Sequence, residues 1–184
     1  MRATRITYVG ELGWELYMPV EQAGVVYDAL TAAPFEVVDA GYSTIESLRL
    51  EKGYRAFGRE LTPDYGPVEA GLLFACKLKG DVDFLGRAAV EEARAAGPGR
   101  RLVSFVIDDP EPMLWGGELV LRDGEPAGQV TSAAYGATVG ASVGLALLRS
   151  DHPVRQGDLD ASSFHVDLAG ELFAARITLA APLR

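Results

Sequence analysis

The spacing of apolar residues changes character part-way along this 184-residue chain, at the linker Gly97-Pro98-Gly99. Before the linker, apolar positions recur mainly at helical spacing. After it they form short runs typical of strands, separated by turn residues. The pattern therefore predicts an α+β fold, with an α/β region over residues 1–96 and a β region over residues 100–184.

The α/β region opens with two short predicted strands, over residues 4–9 and 13–19, which contain β-branched and aromatic residues and are joined by a glycine-flanked turn. A helix is predicted from Glu21 to Ala33, because its apolar residues share one face and a proline follows. The run Phe35–Ala40 is predicted to be extended.

A second helix is predicted after residue 42, with Ser43 as its N-cap, Glu46 completing a capping box and Gly53 marking its end. Beyond a loop, Leu72–Leu78 has the composition of a buried strand. The run Phe84–Arg94 is predicted to turn from a strand end into a helix.

Short strands dominate the region after the linker. Asp123-Gly124 lies between two of them and is a strong signal for a tight hairpin turn. Five or six such strands in about 85 residues are typical of a small barrel or sandwich. The predicted strands are Arg101–Ile107, Glu118–Arg122, Gln129–Ala133, Val139–Leu148, Ser163–Asp167 and Leu172–Leu179.

Composition narrows the classes of partner. The net charge of −9 disfavours nucleic acid and anionic membrane surfaces as partners. The chain has one cysteine, Cys76, which excludes an internal disulfide and fits a reducing compartment. The N-terminus does not resemble a signal peptide, and no apolar run is long enough to span a bilayer. We therefore predict a cytoplasmic protein.

Two segments carry most of the chemical information: Tyr8-Val-Gly-Glu-Leu-Gly-Trp-Glu-Leu-Tyr17, and Ser47-Leu-Arg-Leu-Glu-Lys-Gly-Tyr-Arg-Ala-Phe-Gly-Arg-Glu-Leu-Thr-Pro-Asp64. Together they resemble the folate-binding aminomethyltransferase family. This family comprises the glycine-cleavage T-protein and the tetrahydrofolate-binding parts of dimethylglycine and sarcosine dehydrogenases. The resemblance covers nearly the whole chain, but only the C-terminal portion of such a protein.

The resemblance implies the C-terminal half of an α/β folate-binding domain over residues 1–96, followed by a small antiparallel β-barrel over residues 100–184. It implies tetrahydrofolate as cofactor and transfer of a one-carbon unit as the reaction. In the family an aspartate from the region preceding this portion handles the proton, so no residue of this chain is assigned a catalytic role. The alternative is a non-catalytic folate-binding or scaffold module of the same superfamily. Such modules carry a Lys-Gly-Cys-Tyr type motif, and in this chain Tyr54 stands in place of the cysteine.

The folate-binding candidates are Tyr8, Glu15, Tyr17 and Tyr54. A pterin presents two N–H groups along one edge, and a carboxylate is the matching acceptor. The resemblance places Glu15 in this role and the three tyrosines against the ring system. From the residues alone, Glu15 is equally compatible with an exposed position on an edge strand, and the tyrosines with a core edge.

Three arginines, Arg49, Arg55 and Arg59, are compatible with two roles. They suit the carboxylates of a folate tail, and they equally suit ion pairs with Glu46, Glu51 and Glu60. We interpret Glu51 as a helix-surface charge. Ile45 stands where a T-protein carries a folate-contacting arginine, which favours the dehydrogenase branch of the family.

The remaining signals predict no further chemistry. Cys76 is interpreted as a core residue, and His152 and His165 lack metal-ligand spacing. The glycine-rich run from Gly136 to Gly144 leads into a strand, so it does not predict a phosphate-binding loop. The predicted partners are folate and either an N-terminal half-domain or a flavin-containing oxidoreductase portion. An uncovered apolar face of the α/β region predicts a possible homodimer.

Overall fold

The computed structural model describes residues 1–183 and contains eight strands and four α-helices within them. A two-stranded antiparallel sheet and three α-helices come first. Six strands then close into an antiparallel barrel, which confirms the predicted fold class. The elements before the barrel are β1 (Arg2–Thr4), β2 (Glu15–Tyr17), α1 (Val20–Thr31), α2 (Tyr42–Glu51) and α3 (Arg87–Ala96).

The barrel strands are connected in the order β3-β6-β5-β4-β7-β8, and β8 pairs with β3 to close the ring. One short helix, α4, lies between β6 and β7. The bounds of these elements are β3 (Arg100–Ile107), β4 (Leu119–Arg122), β5 (Glu125–Gly136), β6 (Ala141–Arg149), α4 (Gln156–Asp160), β7 (Phe164–Leu168) and β8 (Glu171–Thr178).

The predicted hairpin between β4 and β5 is confirmed. Asp123 and Gly124 both adopt positive φ angles, 53° and 87°, as the tightest two-residue hairpin turns require. The backbone N–H and the hydroxyl of Ser163 both donate to the Asp123 carboxylate, which holds the turn against the start of β7. This is one reason why an aspartate, rather than another residue that tolerates positive φ, suits the first turn position.

Strand β3 is buried on both of its faces. Val103, Phe105 and Ile107 point into the barrel interior, where they join the main apolar cluster. Leu102 and Val106 point outward into a second cluster, with Leu50 of α2. Helix α2 therefore covers the outside of the barrel, and the chain before the barrel is anchored to it through this helix.

Helix α1 has the predicted position but no buried residue. Its apolar side chains and those of the following run remain open to solvent. We call this set the apolar face, and its exposed members are Val20, Val25, Leu30, Phe35, Val38 and Tyr42.

Three local predictions are wrong. The first strand ends at Thr4 instead of residue 9, because the Thr7 hydroxyl accepts hydrogen bonds from the N–H groups of Val9 and Gly10 and turns the chain. Helix α2 is preceded by Gly41, and Ser43 makes no cap. The Glu46 carboxylate binds Arg49 in place of the helix N-terminus.

The segment Leu72–Leu78 is neither a strand nor buried. Successive turns over residues 66–72, with Gly71 at a φ of 71°, lead into a short 3₁₀ helix, Leu73–Ala75. Phe74 is 84% exposed. Cys76 is half-buried beside this turn and does not belong to the core, so its interpretation as a core residue is also wrong.

Candidate folate site

Tyr8 and Tyr54 form a stacked aromatic pair. Their ring centroids are 6.1 Å apart and the planes differ by 18°. The Tyr8 hydroxyl donates to the carbonyl oxygen of Arg55 at 2.9 Å, which fixes the ring over the segment that follows α2. Burial raises the pKa of Tyr8, so this phenol stays protonated and remains a hydrogen-bond donor at neutral pH.

Glu15 and Tyr17 form a second pair, on β2. The two side chains lie on the same face of the strand because they are two residues apart, and the Tyr17 hydroxyl donates to the Glu15 carboxylate. This hydrogen bond raises the pKa of Tyr17. The Arg2 guanidinium lies over the Tyr17 ring, 4.6 Å from its centroid, and β1 and β2 pair these two residues directly.

The four predicted site residues are thus brought together as two pairs with separate partners. The Tyr8–Tyr54 pair lies at the segment that follows α2, and the Glu15–Tyr17 pair lies on the two-stranded sheet. Glu15 is exposed, with one hydroxyl already aimed at its carboxylate. An exposed carboxylate beside aromatic rings can accept two N–H donors from the edge of a flat heterocycle.

A cavity of about 390 Å³ is formed by the connection between β1 and β2. The predicted residues do not line it. Its walls are formed by Arg5, Ile6, Thr7, Gly10, Glu11, Leu12 and Gly13. Glu15 and Tyr17 are exposed on the two-stranded sheet, whereas Tyr54 is half-buried after α2.

A buried charge network joins α2 to the barrel. The sequence allowed its ion pairs but did not predict their burial. The Arg49 and Glu60 side chains are both fully buried and pair at 3.2 Å. Glu60 also accepts hydrogen bonds from the hydroxyls of Thr131 and Ser132, at 2.6 Å each. The only sequence signal was the set of arginines and glutamates at helical and loop spacing, which does not reveal burial.

Glu46 completes this network on its outer side. Its carboxylate binds Arg49 at 2.8 Å and the half-exposed Arg59 at 3.3 Å. Partial burial by itself would raise the pKa of Glu46, but the hydrogen bond and charge of Arg49 outweigh it and hold that pKa below its usual value. Arg49 and Arg59 thus form the ion pairs that the residues alone allowed. Arg55 instead donates to the carbonyl oxygens of Gly53 and Ala70.

Glu51 is not the surface charge that the helical pattern suggested. It is 1% exposed, and its carboxylate accepts hydrogen bonds from the backbone N–H groups of Thr138 and Val139, at 2.7 and 3.0 Å. The final turn of α2 lies on the connection between β5 and β6, and this contact buries the side chain. The interpretation of Glu51 as a helix-surface charge is therefore wrong.

No cluster of three or more histidine, cysteine, aspartate or glutamate side chains suited to a metal ion is present among residues 1–183. Within the same described residues, no helix is both long enough and apolar enough to cross a membrane.

Comparison with known proteins gives two family matches. Residues 1–80 match the model described as the GCVT N-terminal domain, and residues 100–183 match the one described as the glycine cleavage T-protein C-terminal barrel domain. The chain is 40% identical to human mitochondrial sarcosine dehydrogenase over 99% of its length, and 35% identical to mouse mitochondrial dimethylglycine dehydrogenase over 95%. It spans about a fifth of the length of each of these relatives.

A solved structure with the same fold is that of the glycine cleavage system aminomethyltransferase T from Bartonella henselae. The TM-score is 0.82 at 27% sequence identity, and the match covers 98% of this chain and 48% of that protein.

Proposed function

This chain belongs to the glycine-cleavage T-protein family, and on that premise we propose that it is a tetrahydrofolate-dependent domain for the transfer of one-carbon units. The observation that carries the proposal is the exposed carboxylate of Glu15, which the Tyr17 hydroxyl holds, in the same region of the fold as the stacked pair Tyr8–Tyr54. Aminomethyl and methylene transfer are the reactions that fit such a site.

Glu15 is proposed to bind the edge of the pterin that carries two N–H donors. The Tyr17 hydroxyl already donates to this carboxylate and would hold it in place. Arg2 over the Tyr17 ring would in turn fix the tyrosine. A carboxylate has two acceptor oxygens, which match the two N–H donors of the pterin edge.

Tyr8 and Tyr54 are proposed to support the ring system of the folate. A planar ring inserted between two others needs about 7 Å between their planes, twice an ordinary carbon–carbon contact. The centroids of Tyr8 and Tyr54 are only 6.1 Å apart. We therefore expect the ligand to lie against the outer face of the pair, and not between the two rings.

In the reaction, tetrahydrofolate supplies the nitrogen that takes up the one-carbon unit. The task of this chain is to bind and orient, which can contribute a large part of a rate enhancement by itself. We assign no proton transfer to a residue of this chain.

We further propose that residues 1–96 form part of the folate-binding unit and that the barrel, residues 100–184, supports it through α2. A preceding half-domain, or a flavin-containing oxidoreductase portion as in the dehydrogenases, would complete the site. The cytoplasmic location stays a prediction, because both mammalian relatives carry the word mitochondrial in their names.

The test is a titration with 5-formyltetrahydrofolate of the wild-type chain, of Glu15→Gln and of Glu92→Gln, an exposed glutamate on α3. Each protein is measured alone and together with the portion that precedes this region in the relatives. We expect Glu15→Gln to bind about tenfold more weakly or worse, because one charge-assisted hydrogen bond contributes about 1.5–3 kcal/mol. Equal affinity for wild type and Glu15→Gln would show that the pterin edge is bound elsewhere.

A further inference from the structure

We infer that Arg55 and Arg101 form a binding site for a small oxyanion, a carboxylate or a phosphate. This site is independent of the proposed folate function. Arg55 follows α2 and Arg101 lies at the start of β3, yet their guanidinium groups meet beside Gly71. The Nη2 atoms of Arg55 and Arg101 lie 2.7 and 3.6 Å from the position that a Cβ atom on Gly71 would occupy.

Neither arginine has a carboxylate partner among residues 1–183. Arg55 donates to the carbonyl oxygens of Ala70 and Gly53, at 3.0 and 2.8 Å, and Arg101 donates to the carbonyl oxygen of Val68. Carbonyl oxygens carry no formal charge. The charge of Glu60 raises the pKa of Arg55, but it only partly offsets the opposing effects of burial and of Arg101. The neighbouring Arg100, by contrast, pairs with a glutamate at 2.7 Å.

Arg101 also has an unused donor. Its Nε atom is buried and makes no hydrogen bond, a property that it shares only with Arg49 Nε among the buried side-chain nitrogen and oxygen atoms of residues 1–183. An unpaired buried donor on a charged group is costly, and a charged acceptor is the partner that would offset this cost best.

The electrostatics of the pair agree with this geometry. Burial lowers the pKa of both arginines, and the charge of Arg101 lowers the pKa of Arg55 further. Two like charges in a half-buried position disfavour each other. In a chain with a net charge of −9, such a pair is a local exception.

The ligand must be a small anion with at least two oxygen atoms that accept hydrogen bonds. Two guanidinium groups that lie side by side match an anion with at least two oxygens, since each can donate to a different oxygen. Gly71 has no side chain, and a Cβ atom there would lie only 2.7 Å from the Arg55 Nη2 atom, so glycine is what allows the two guanidinium groups to meet at this place. Inorganic phosphate represents the phosphate class of ligand, and glutarate represents the carboxylate class.

The experiment is calorimetric titration of the whole chain with inorganic phosphate and, separately, with glutarate, at an ionic strength held constant with chloride. We expect saturable binding of at least one anion. Arg55→Gln and Arg101→Gln should each weaken it about tenfold or more, because each removes a charge-assisted contact. Arg94→Gln, which removes an exposed arginine of α3, should bind like wild type. The anion that binds identifies the chemistry of the natural ligand.

A second measurement uses the wild-type chain alone, in case a variant fails to fold. In the NMR spectrum of ¹⁵N-arginine-labelled protein, the Nε–H signals of Arg55 and Arg101 should shift on addition of the anion, and that of Arg94 should not. The proposal is overturned if neither anion binds, if chloride alone gives the same response, or if both glutamine variants bind as tightly as wild type. Uniform shifts of all arginine signals would overturn it as well.

Discussion

At the scale of single residues, the charged side chains of α2 are the least predictable part of the structure. Helical spacing placed Glu51 on a surface, since glutamate is almost never fully buried unless it is paired. Its partners are the backbone N–H groups of Thr138 and Val139, more than 80 positions away. A contact between the end of a helix and a distant loop leaves no periodic trace in the sequence. The tyrosine pairs, in contrast, lie in the two segments that the sequence had singled out.

Glu51 therefore yields a stability prediction. Glu51→Gln should lower the free energy of unfolding by about 1–3 kcal/mol, because the charge-assisted hydrogen bonds become neutral and a new amide group is buried without a partner. Urea denaturation measures this change. Glu92→Gln on the exposed side of α3 should stay within about 0.5 kcal/mol of wild type. Similar small effects at both positions would mean that Glu51 is solvated after all.

At the scale of secondary-structure elements, the predictions were correct where the local sequence signal was strong. The β4–β5 turn was predicted because Asp-Gly favours one backbone geometry, which both residues adopt. The segment Leu72–Leu78 was predicted wrongly because a short apolar run suits a buried strand and an irregular turn equally well. Its conformation depends on turns over the preceding residues, and local composition does not encode these hydrogen bonds.

The barrel strands contain a position where glycine is required by packing. A Cβ atom on Gly144 of β6 would lie 2.3 Å from the carbonyl oxygen of Ser132 and 2.5 Å from Cζ of Phe105. Gly144→Ala should therefore destabilise the chain by about 1–3 kcal/mol, since neither the backbone of β5 nor a fully buried ring can move freely.

The matched control for Gly144 is Gly157 in α4, where an added Cβ would meet no atom within 4 Å. Gly157→Ala should leave stability unchanged or raise it by up to about 1 kcal/mol, because alanine loses less backbone entropy in a helix. Thermal or urea denaturation of the two variants tests the predicted direction of each change in stability. A harmless Gly144→Ala would show that β5 and β6 lie further apart than described.

At the scale of the whole molecule, the sequence predicted the fold class but not how its two regions are joined. The change of apolar spacing at residues 97–99 identified a helical region and a barrel. The joint itself combines an apolar cluster around Leu50 with the buried pair Arg49–Glu60. Removing one member of such a pair leaves an uncompensated buried charge, so the joint specifies one arrangement of α2 on the barrel.

The apolar face gives the last prediction. Val25 of α1 and Val38 of the following run are 72% and 76% exposed, and their apolar neighbours are exposed with them. Exposed apolar side chains in this number favour association, because burial removes them from water. We expect the isolated chain to associate as its concentration rises. Sedimentation velocity over a range of concentrations should show the sedimentation coefficient increasing.

Two lysine substitutions on this face, Val25→Lys with Val38→Lys, should shift the association to higher concentration by about tenfold or more, since each charge must be desolvated in the associated state. Leu172→Lys at the start of β8 is the matched control, because Leu172 is also about half exposed, at 53%, but lies on the barrel. It should associate like wild type. If the wild-type chain stays monomeric at every concentration, or if Leu172→Lys has the same effect, the apolar face does not drive association. Added portions of the longer relatives that cover this face should compete with self-association, because both would bury the same side chains.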